Sequence, residues 1–208
     1  RFICLLLSIL FISVIFLYYF SIQKMYSEQL AKSNDSIIQQ VAISFETMMK
    51  QITDSIYKIP LYENDLLQLL RSNEQNALFQ GRDIYKKLDS ILLGNEYLYS
   101  SYLYSSEQNL VFISESGNSY NADSFFDKAA ITAAKREEII VLGPRFIDTN
   151  QGRKLVISVI SPLPLSPMDY EGVLVVNIDA SKLYYDILKK INAEENMDFY
   201  VYDPDHTI

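Results

Sequence analysis

The sequence predicts a membrane-anchored α+β protein, in which a transmembrane helix and a long stalk helix precede a mostly antiparallel five-stranded sheet flanked by helices. Three observations carry this prediction. The segment Phe2 to Phe20 is nineteen residues long and holds no charged residue. The segment after it has helical periodicity, and strand-like apolar runs dominate from residue 97 onwards. Two strands, a helix and then three strands in succession favour an antiparallel sheet over a doubly wound parallel one.

The first element is a transmembrane helix, assigned to residues 1–21. As a helix, Phe2 to Phe20 spans about 28 Å, which is close to the thickness of the hydrocarbon core of a bilayer. A cleaved secretory signal is the alternative, but its apolar core is usually about 7–15 residues long and ends at small residues. This run ends at the bulky residues Leu17 to Phe20. We therefore expect an uncleaved anchor in the plasma membrane, with the N-terminus inside and the rest outside the cytoplasm.

The second element is a stalk helix, assigned to residues 22–60. No Pro or Gly occurs from Ile22 to Lys58, and Pro60 is expected to end the helix. Apolar residues recur at spacings of three and four, at Ile38, Val41, Phe45, Met48, Ile52, Ile56 and Ile59. We expect the stripe from Phe45 to Ile59 to pack on its own domain. The more polar part, Gln23 to Gln40, is the better candidate for a parallel homodimer contact.

The remaining elements form one module, residues 61–192, and the start of a truncated second module, residues 193–208. Helices are predicted at Glu63–Arg71, Gln75–Leu93, Asp123–Lys135 and Ala180–Ile191. Strands are predicted at Tyr97–Tyr104, Leu110–Ser114, Ile139–Leu142, Leu155–Ser161 and Val173–Ile178, and a further one begins at Asp198–Tyr202. Loops are predicted around Gly117–Ser119, Gly143–Pro144, Asn150–Gly152 and Pro162–Pro167.

Composition excludes several classes of function. The chain has 26 acidic and 18 basic residues, and no cluster of Lys and Arg occurs, so nucleic acid is not an expected partner. Cys4, the only cysteine, lies in the membrane run, which excludes disulfides and cysteine-based metal sites within the domain. The only histidine, His206, has no other His and no Cys near it in sequence to complete a metal site. No phosphate loop or nucleophile motif occurs, so we expect no cofactor, no metal and no catalytic residue in this segment.

An ordered set of segments resembles a known family. After the membrane and stalk helices come YLYSSEQNLVFIS, FFDKA, KLVISVISPLPL, GVLVVNID and DFYVYDPDHTI. Together they resemble the double-Cache sensor regions of Gram-positive membrane receptors, notably membrane-anchored AraC-type regulators and sensor histidine kinases. The resemblance covers about residues 22–208, and it is the order of the segments that carries it, because no single motif is specific.

The resemblance implies a PAS-like sheet that binds a small ligand between its concave face and the covering helices and loops. It places the ligand-binding residues at Tyr102, Tyr104, Phe112, Phe125, Arg145 and Asn177. In amino-acid-binding relatives, a carboxylate near the end of the GVLVVNID-type strand contacts the ligand amine, after a motif containing Arg, Trp and Tyr. Asn177 stands at the carboxylate position here, and the chain has no Trp. This departure favours a neutral polar ligand such as a sugar or an amide, because Asn offers both donors and an acceptor.

Each candidate also has a purely structural interpretation. Arg145 can bind a ligand carboxylate bidentately or form an ion pair within the protein. Tyr102 and Tyr104 face the same side of a strand, where core packing explains them as well as ligand contact does. Asp179 is expected to cap the following helix rather than to contact a ligand, with Asn177 two residues before it as the pocket candidate.

We therefore expect the extracytoplasmic sensing region of a bacterial transmembrane receptor. Its output module, an AraC-type regulator or a histidine kinase, is expected to be missing from these residues, and its ligand to be small and polar. The alternative is a membrane-tethered module that binds a partner protein or a solute-binding protein. A membrane-tethered hydrolase is a third class, but nothing in the sequence indicates the cleft with perturbed carboxylates that it would need.

Overall fold

The computed structural model describes residues 2–62, 66, 70, 74–114, 119–134, 140–149, 152–163 and 171–190. The helices are α1 (Phe2–Tyr62), α2 (Glu74–Leu93), α3 (Lys128–Ala134) and α4 (Ala180–Lys190). A short 3-10 helix covers Ala122–Ser124. The strands are β1 (Leu98–Ser105), β2 (Leu110–Ile113), β3 (Ser119–Asn121), β4 (Ile140–Thr149), β5 (Gly152–Leu163) and β6 (Gly172–Asp179).

Helix α1 joins the membrane segment and the stalk into one continuous helix of 61 residues. It contains no glycine, and its proline, Pro60, lies in the last turn, so no helix breaker interrupts it earlier. The helix ends at Tyr62, two residues after the predicted end. Within Leu10–Lys58, a stretch near the N-terminus is long and apolar enough to cross a membrane, and none of that stretch is buried inside the protein.

The strands form one antiparallel sheet, in the spatial order β3-β2-β1-β6-β5-β4. The predicted α+β class is confirmed. Six strands occur in the described residues, whereas five were predicted from the sequence. The additional strand, β3, begins at Ser119, the last residue of the predicted loop, and its three residues are exposed. It forms because Tyr120 pairs with Val111 at the edge of the sheet.

Strand β4 is longer than predicted, because the expected loop at Gly143 and Pro144 lies within it. The pairing with β5 shifts register between Leu142 and Arg145, and then continues to Thr149. A bulge accommodates the extra residues and the proline without ending the strand. At the following turn, Gly152 has a φ of 108°, a conformation that favours glycine. The bulge directly precedes Arg145.

The segment 119–134, which we call the strap, replaces the helix predicted at Asp123–Lys135. It consists of β3, the 3-10 helix, an extended link at residues 125–127, and α3. Two local caps interrupt the helix. The Asn121 side chain accepts a hydrogen bond from the backbone N–H of Asp123 at 2.9 Å, and the Asp127 side chain accepts one from that of Ala130 at 3.2 Å.

The sheet is buried on two faces. The strap covers one face, which we call the strap face, and α1, α2 and α4 cover the other, which we call the helix face. Alternation along β6 is regular: Val173 and Val175 belong to the core under the strap, while Leu174 and Val176 belong to the core under the helices. The expectation that β5 and β6 are central strands covered on both faces is therefore confirmed.

The predicted apolar stripe of the stalk packs on its own domain. Val41, Phe45, Met48, Ile52 and Ile56 all contribute to the core of the helix face. Phe45 also meets Tyr184 of α4, with ring centroids 5.7 Å apart.

Several predictions lie outside the described residues. Of the helix predicted at Glu63–Arg71, only Leu66 and Leu70 are described, and both are helical and buried. The strand predicted at Asp198–Tyr202, the truncated module at 193–208 and His206 all fall outside. The side chain of Ile59 is also outside the described part.

Candidate functional site: a polar chain across the strap face

A chain of hydrogen-bonded side chains crosses the otherwise apolar strap face. This polar chain consists of Asp127, Arg145, Ser158, Asn177, Ser100 and Tyr102. Its charged end joins the strap to β4. Arg145 donates from Nε to Asp127 Oδ1 at 3.3 Å and from Nη2 to Asp127 Oδ2 at 2.5 Å, and its Nη1 donates to Ser158 Oγ at 2.7 Å. Arg145 therefore links the strap, β4 and β5.

The neutral half of the polar chain crosses β5, β6 and β1. Ser158 Oγ donates a short hydrogen bond to Asn177 Oδ1. Asn177 Nδ2 donates to Ser100 Oγ at 2.9 Å, and Ser100 Oγ lies 3.5 Å from Tyr102 Oη. Asn177 is completely buried, so its amide depends on these two serines for the hydrogen bonds that water would otherwise provide.

Strand register brings the two serines to Asn177. Ser158 is the direct cross-strand partner of Asn177 in β5, and Ser100 is its partner in β1. Directly opposite residues of an antiparallel pair lie about 4.5–5.5 Å apart, within reach of short side chains. The pairing of β1 with β6 shifts register between Leu98 and Ser100, which fixes the position of Ser100 in this row.

The two charged members neutralise each other. The side chain of Asp127 is 2% exposed and that of Arg145 is 16% exposed. Of the two interpretations of Arg145, the structure shows the ion pair within the protein. The guanidinium meets the carboxylate in the two-point geometry that it also uses for free carboxylates.

Aromatic rings surround the tyrosine end of the polar chain. The ring of Tyr102 meets Phe125 at 5.1 Å and Phe126 at 6.0 Å between centroids, both nearly edge to face. Phe125 is fully buried, whereas Phe126 is exposed. Burial raises the pKa of the Tyr102 hydroxyl above its ordinary value, which keeps the group neutral.

The structure brings together five of the six predicted ligand-binding residues. Tyr102, Tyr104, Phe125, Arg145 and Asn177 lie on the strap face or over it, as the contacts above and the shared core show. Phe112 does not join them. It packs in the core of the helix face, because its neighbours Val111 and Ile113 point to the strap and a strand alternates its side chains.

Sequence reasoning missed three members of the polar chain: Asp127, Ser158 and Ser100. The signal for Ser158 was a small polar residue inside the apolar run LVISVIS, where a buried hydroxyl requires a partner. Asp127 gave no such signal, because it fell within a segment that was expected to be one helix.

A second charged group lies at the carboxyl end of β6. Asp179 caps α4 by accepting from the backbone N–H of Lys182 at 3.0 Å, which confirms its predicted role. Its other oxygen pairs with Lys154 Nζ at 2.8 Å, and that ammonium lies 5.3 Å from the ring centroid of Tyr99. No group of three or more His, Cys, Asp or Glu side chains in the described part of the chain could hold a metal ion.

No protein-family model and no curated protein matches the chain. Solved structures do. The sensory domain of the Campylobacter jejuni chemoreceptor Tlp3 aligns over 73% of this chain and 62% of that one, with 18% identity and a TM-score of 0.53. The same domain with isoleucine bound aligns over 73% and 61%, with 16% identity and a TM-score of 0.51. The extracellular domain of a protein described as a histidine kinase, vpHK1S-Z8, aligns over 75% and 61%, with 14% identity and a TM-score of 0.53.

The chain shares its fold with these sensory and extracellular domains. At these identities the likeness concerns the fold, and the chain spans about three fifths of the length of these neighbours.

Proposed function

We propose that this chain is the extracytoplasmic ligand-sensing region of a bacterial transmembrane receptor, anchored in the plasma membrane by Phe2–Phe20. The polar chain on the strap face carries the proposal. It places buried hydrogen-bonding groups and aromatic rings under a short cover, in a fold shared with sensory domains. Proteins use such a combination of apolar walls and a few oriented polar groups to bind small molecules.

The ligand proposed for this site is small, polar and neutral, such as a sugar or an amide. Tlp3 binds isoleucine in one of the structures above. Here the two charged members of the polar chain are already paired, and the remaining members are uncharged. Hydroxyl or amide groups of a ligand can exchange hydrogen bonds with Asn177 and its two serine partners without leaving a buried charge unpaired.

The sheet provides a route from the site to the membrane. Strands β5 and β6 carry the polar chain on one face and contact the helices on the other, where Val159 and Val176 share a core with Ile52 and Ile56 of α1. A ligand that binds more tightly to one of two positions of the sheet favours that position, and α1 moves with the sheet. The free energy available for this shift is at most the difference between the ligand's binding free energies for the two positions. An output module beyond these residues, an AraC-type regulator or a histidine kinase, would receive that shift.

The stalk is the proposed homodimer contact. Beyond the membrane run, Ile22, Met25, Tyr26 and Leu30 are exposed on α1. At about 100° per residue they lie within an arc of about 140° on one side of the helix. Oxidative cross-linking of Tyr26→Cys in a Cys4→Ser background checks this. Lys24→Cys, on the opposite side, is the matched control, and equal cross-linking at both positions would contradict the proposal.

The test of ligand sensing is a binding screen of the 208-residue chain in lipid nanodiscs. Neutral sugars and amides are titrated in isothermal calorimetry, alongside carboxylates. We expect a neutral hit whose affinity falls at least tenfold in Asn177→Ala and is unchanged in Val141→Ala, an exposed position on β4. A hit that both Asn177→Ala and Arg145→Ala leave unchanged would place the ligand elsewhere. If no small molecule binds, the alternative module that binds a partner protein is favoured.

A further inference from the structure

Asp127 is a buried carboxylate whose oxygens are all occupied by groups of its own chain. Oδ1 accepts from Arg145 Nε at 3.3 Å and from the backbone N–H of Ala130 at 3.2 Å. Oδ2 accepts from Arg145 Nη2 at 2.5 Å. The residue lies in the extended link of the strap, directly after Phe126, whose ring covers Tyr102. It is therefore the charged end of the polar chain, and it holds the strap to β4 through Arg145.

One carboxylate, that of Asp127, accepts hydrogen bonds from both Nε and Nη2 of the Arg145 guanidinium. A guanidinium binds a free carboxylate through two parallel N–H···O bonds, and the bonds to Asp127 have this form. The third bond of Arg145, to Ser158, fixes the guanidinium on the sheet independently of the strap. Asp127 thus occupies the place that the carboxylate of an anionic ligand would take.

We propose that Asp127 is a specificity-determining residue that excludes anions from the site by acting as an internal carboxylate for Arg145. This inference rests on the proposed sensing function and deepens it by defining the ligand class. An anion that binds the Nε–Nη2 edge of the guanidinium must displace Asp127, which leaves a carboxylate that is 2% exposed without its charge partner. The loss of one partner from a buried pair is strongly destabilising, so anions are rejected.

Neutral ligands escape this penalty. They hydrogen-bond to the neutral half of the polar chain and leave the pair of Asp127 and Arg145 intact. Removal of the Asp127 charge should therefore convert the site from one that rejects small anions into one that binds them. Specificity of this kind depends on the unfavourable contact made with the wrong ligand as much as on contacts with the right one.

The experiment compares acetate with acetamide, its neutral isostere, on the 208-residue chain in nanodiscs at constant ionic strength. The readout is the shift of the far-UV circular dichroism melting temperature as a function of ligand concentration. We expect wild type to show no saturable shift with acetate. Asp127→Asn is expected to bind acetate at least tenfold more tightly than wild type does, with no matching gain for acetamide.

Two further variants make the result specific. Asp123→Asn removes the same charge from an exposed position of the strap, where the carboxylate binds Asn109 at 2.9 Å and not Arg145. It should not gain acetate binding. Arg145→Gln in the Asp127→Asn background should abolish the gain. Asp127→Ser, which keeps a capping hydroxyl for α3, should reproduce the gain if Asp127→Asn folds poorly.

Three outcomes would overturn the inference. In the first, wild type binds acetate as tightly as Asp127→Asn does. In the second, Asp123→Asn gains as much acetate affinity as Asp127→Asn. In the third, Asp127→Asn and Asp127→Ser are both unfolded by circular dichroism, which would assign the residue to folding alone. The screen for neutral ligands is a separate measurement. If no neutral ligand binds but Asp127→Asn gains acetate binding, the sensing function is rejected and the masked anion site is kept. If a neutral ligand binds but Asp127→Asn gains no acetate binding, the sensing function is kept and the masked anion site is rejected.

Discussion

The two faces of the sheet share the same strands but are built in different ways. On the helix face, long apolar side chains from α1, α2 and α4 interdigitate with those of the strands in one large core. On the strap face, a smaller core of aromatic and aliphatic residues adjoins the polar chain. Three helices cover the helix face, whereas the only α-helix in the described part of the strap has seven residues.

Under the proposed function, this difference assigns stability mainly to the helix face and ligand recognition to the strap face. Close-packed apolar contacts on the helix face stabilise the fold without requiring any particular ligand. The hydrogen bonds on the strap face are directional, and each buried group there depends on one or two named partners. Under the proposed function, a ligand changes the strap face by exchanging hydrogen bonds, whereas the helix face responds as a packed unit and transmits the shift to α1.

The largest expected effect comes from the helix face. Leu88 of α2 is completely buried in its core, so Leu88→Ala should lower the free energy of unfolding by about 2–5 kcal/mol. The measurement is urea unfolding followed by far-UV circular dichroism. Leu93→Ala in the same helix is the matched control, because Leu93 is 88% exposed. Equal losses in the two variants would show that the helix face does not carry the stability assigned to it.

A smaller effect, on the strap face, comes from one hydroxyl of β5. Ser158→Ala removes the acceptor of Arg145 Nη1 and the donor to Asn177 Oδ1, and should cost about 1–3 kcal/mol. Ser161 lies in the same strand, on the helix face, and is equally buried. Its Oγ has no hydrogen-bond partner among the described residues. Ser161→Ala should therefore change the stability by less than about 0.5 kcal/mol.

The same unfolding experiment compares the two serine variants directly. A cost for Ser161→Ala equal to that for Ser158→Ala would contradict the contrast between the two faces. An unchanged stability in Ser158→Ala, with ligand binding also unchanged, would remove the polar chain as a structural unit.

The fold was largely predictable because it depends on periodicity. Apolar stripes at spacings of three and four gave α1, α2 and α4, and continuous apolar runs gave β5 and β6. The strap was predicted poorly, because its form depends on capping side chains. Asn121 and Asp127 each bind a nearby backbone N–H and so divide what reads as a single helix.

The site was predictable only in part, for a related reason. Asn177 could be found because the resemblance places it at the carboxylate position near the end of the GVLVVNID-type strand. Phe112 was placed with the wrong partners, because a strand of four residues gives no independent indication of which face each residue takes. The pairing of Asp127 with Arg145 depends on a bulge in β4 and on the course of the strap, and neither is visible in local sequence.

The smallest expected effect concerns the pH dependence of the strap face. Because burial raises the pKa of Tyr102 in the folded chain, the folded state keeps a proton that the unfolded chain loses above about pH 10. The stability from this group is complete below that pH and is lost as the pH rises further. Tyr102→Phe should make the decline between pH 10 and 11 less steep, by at most about 1.4 kcal/mol per pH unit.

The stability of Tyr102→Phe should still decline with pH above about pH 10, because other tyrosines contribute to it. Burial also raises the pKa of Tyr104 on the strap face and that of Tyr184 on the helix face. Urea unfolding at fixed pH values measures the effect, with Tyr185→Phe as the control because that side chain is exposed. Declines of equal steepness in Tyr102→Phe and Tyr185→Phe would mean that the Tyr102 hydroxyl is hydrated. The aromatic cover of Phe125 and Phe126 would then be open to solvent at the very point where we place the ligand.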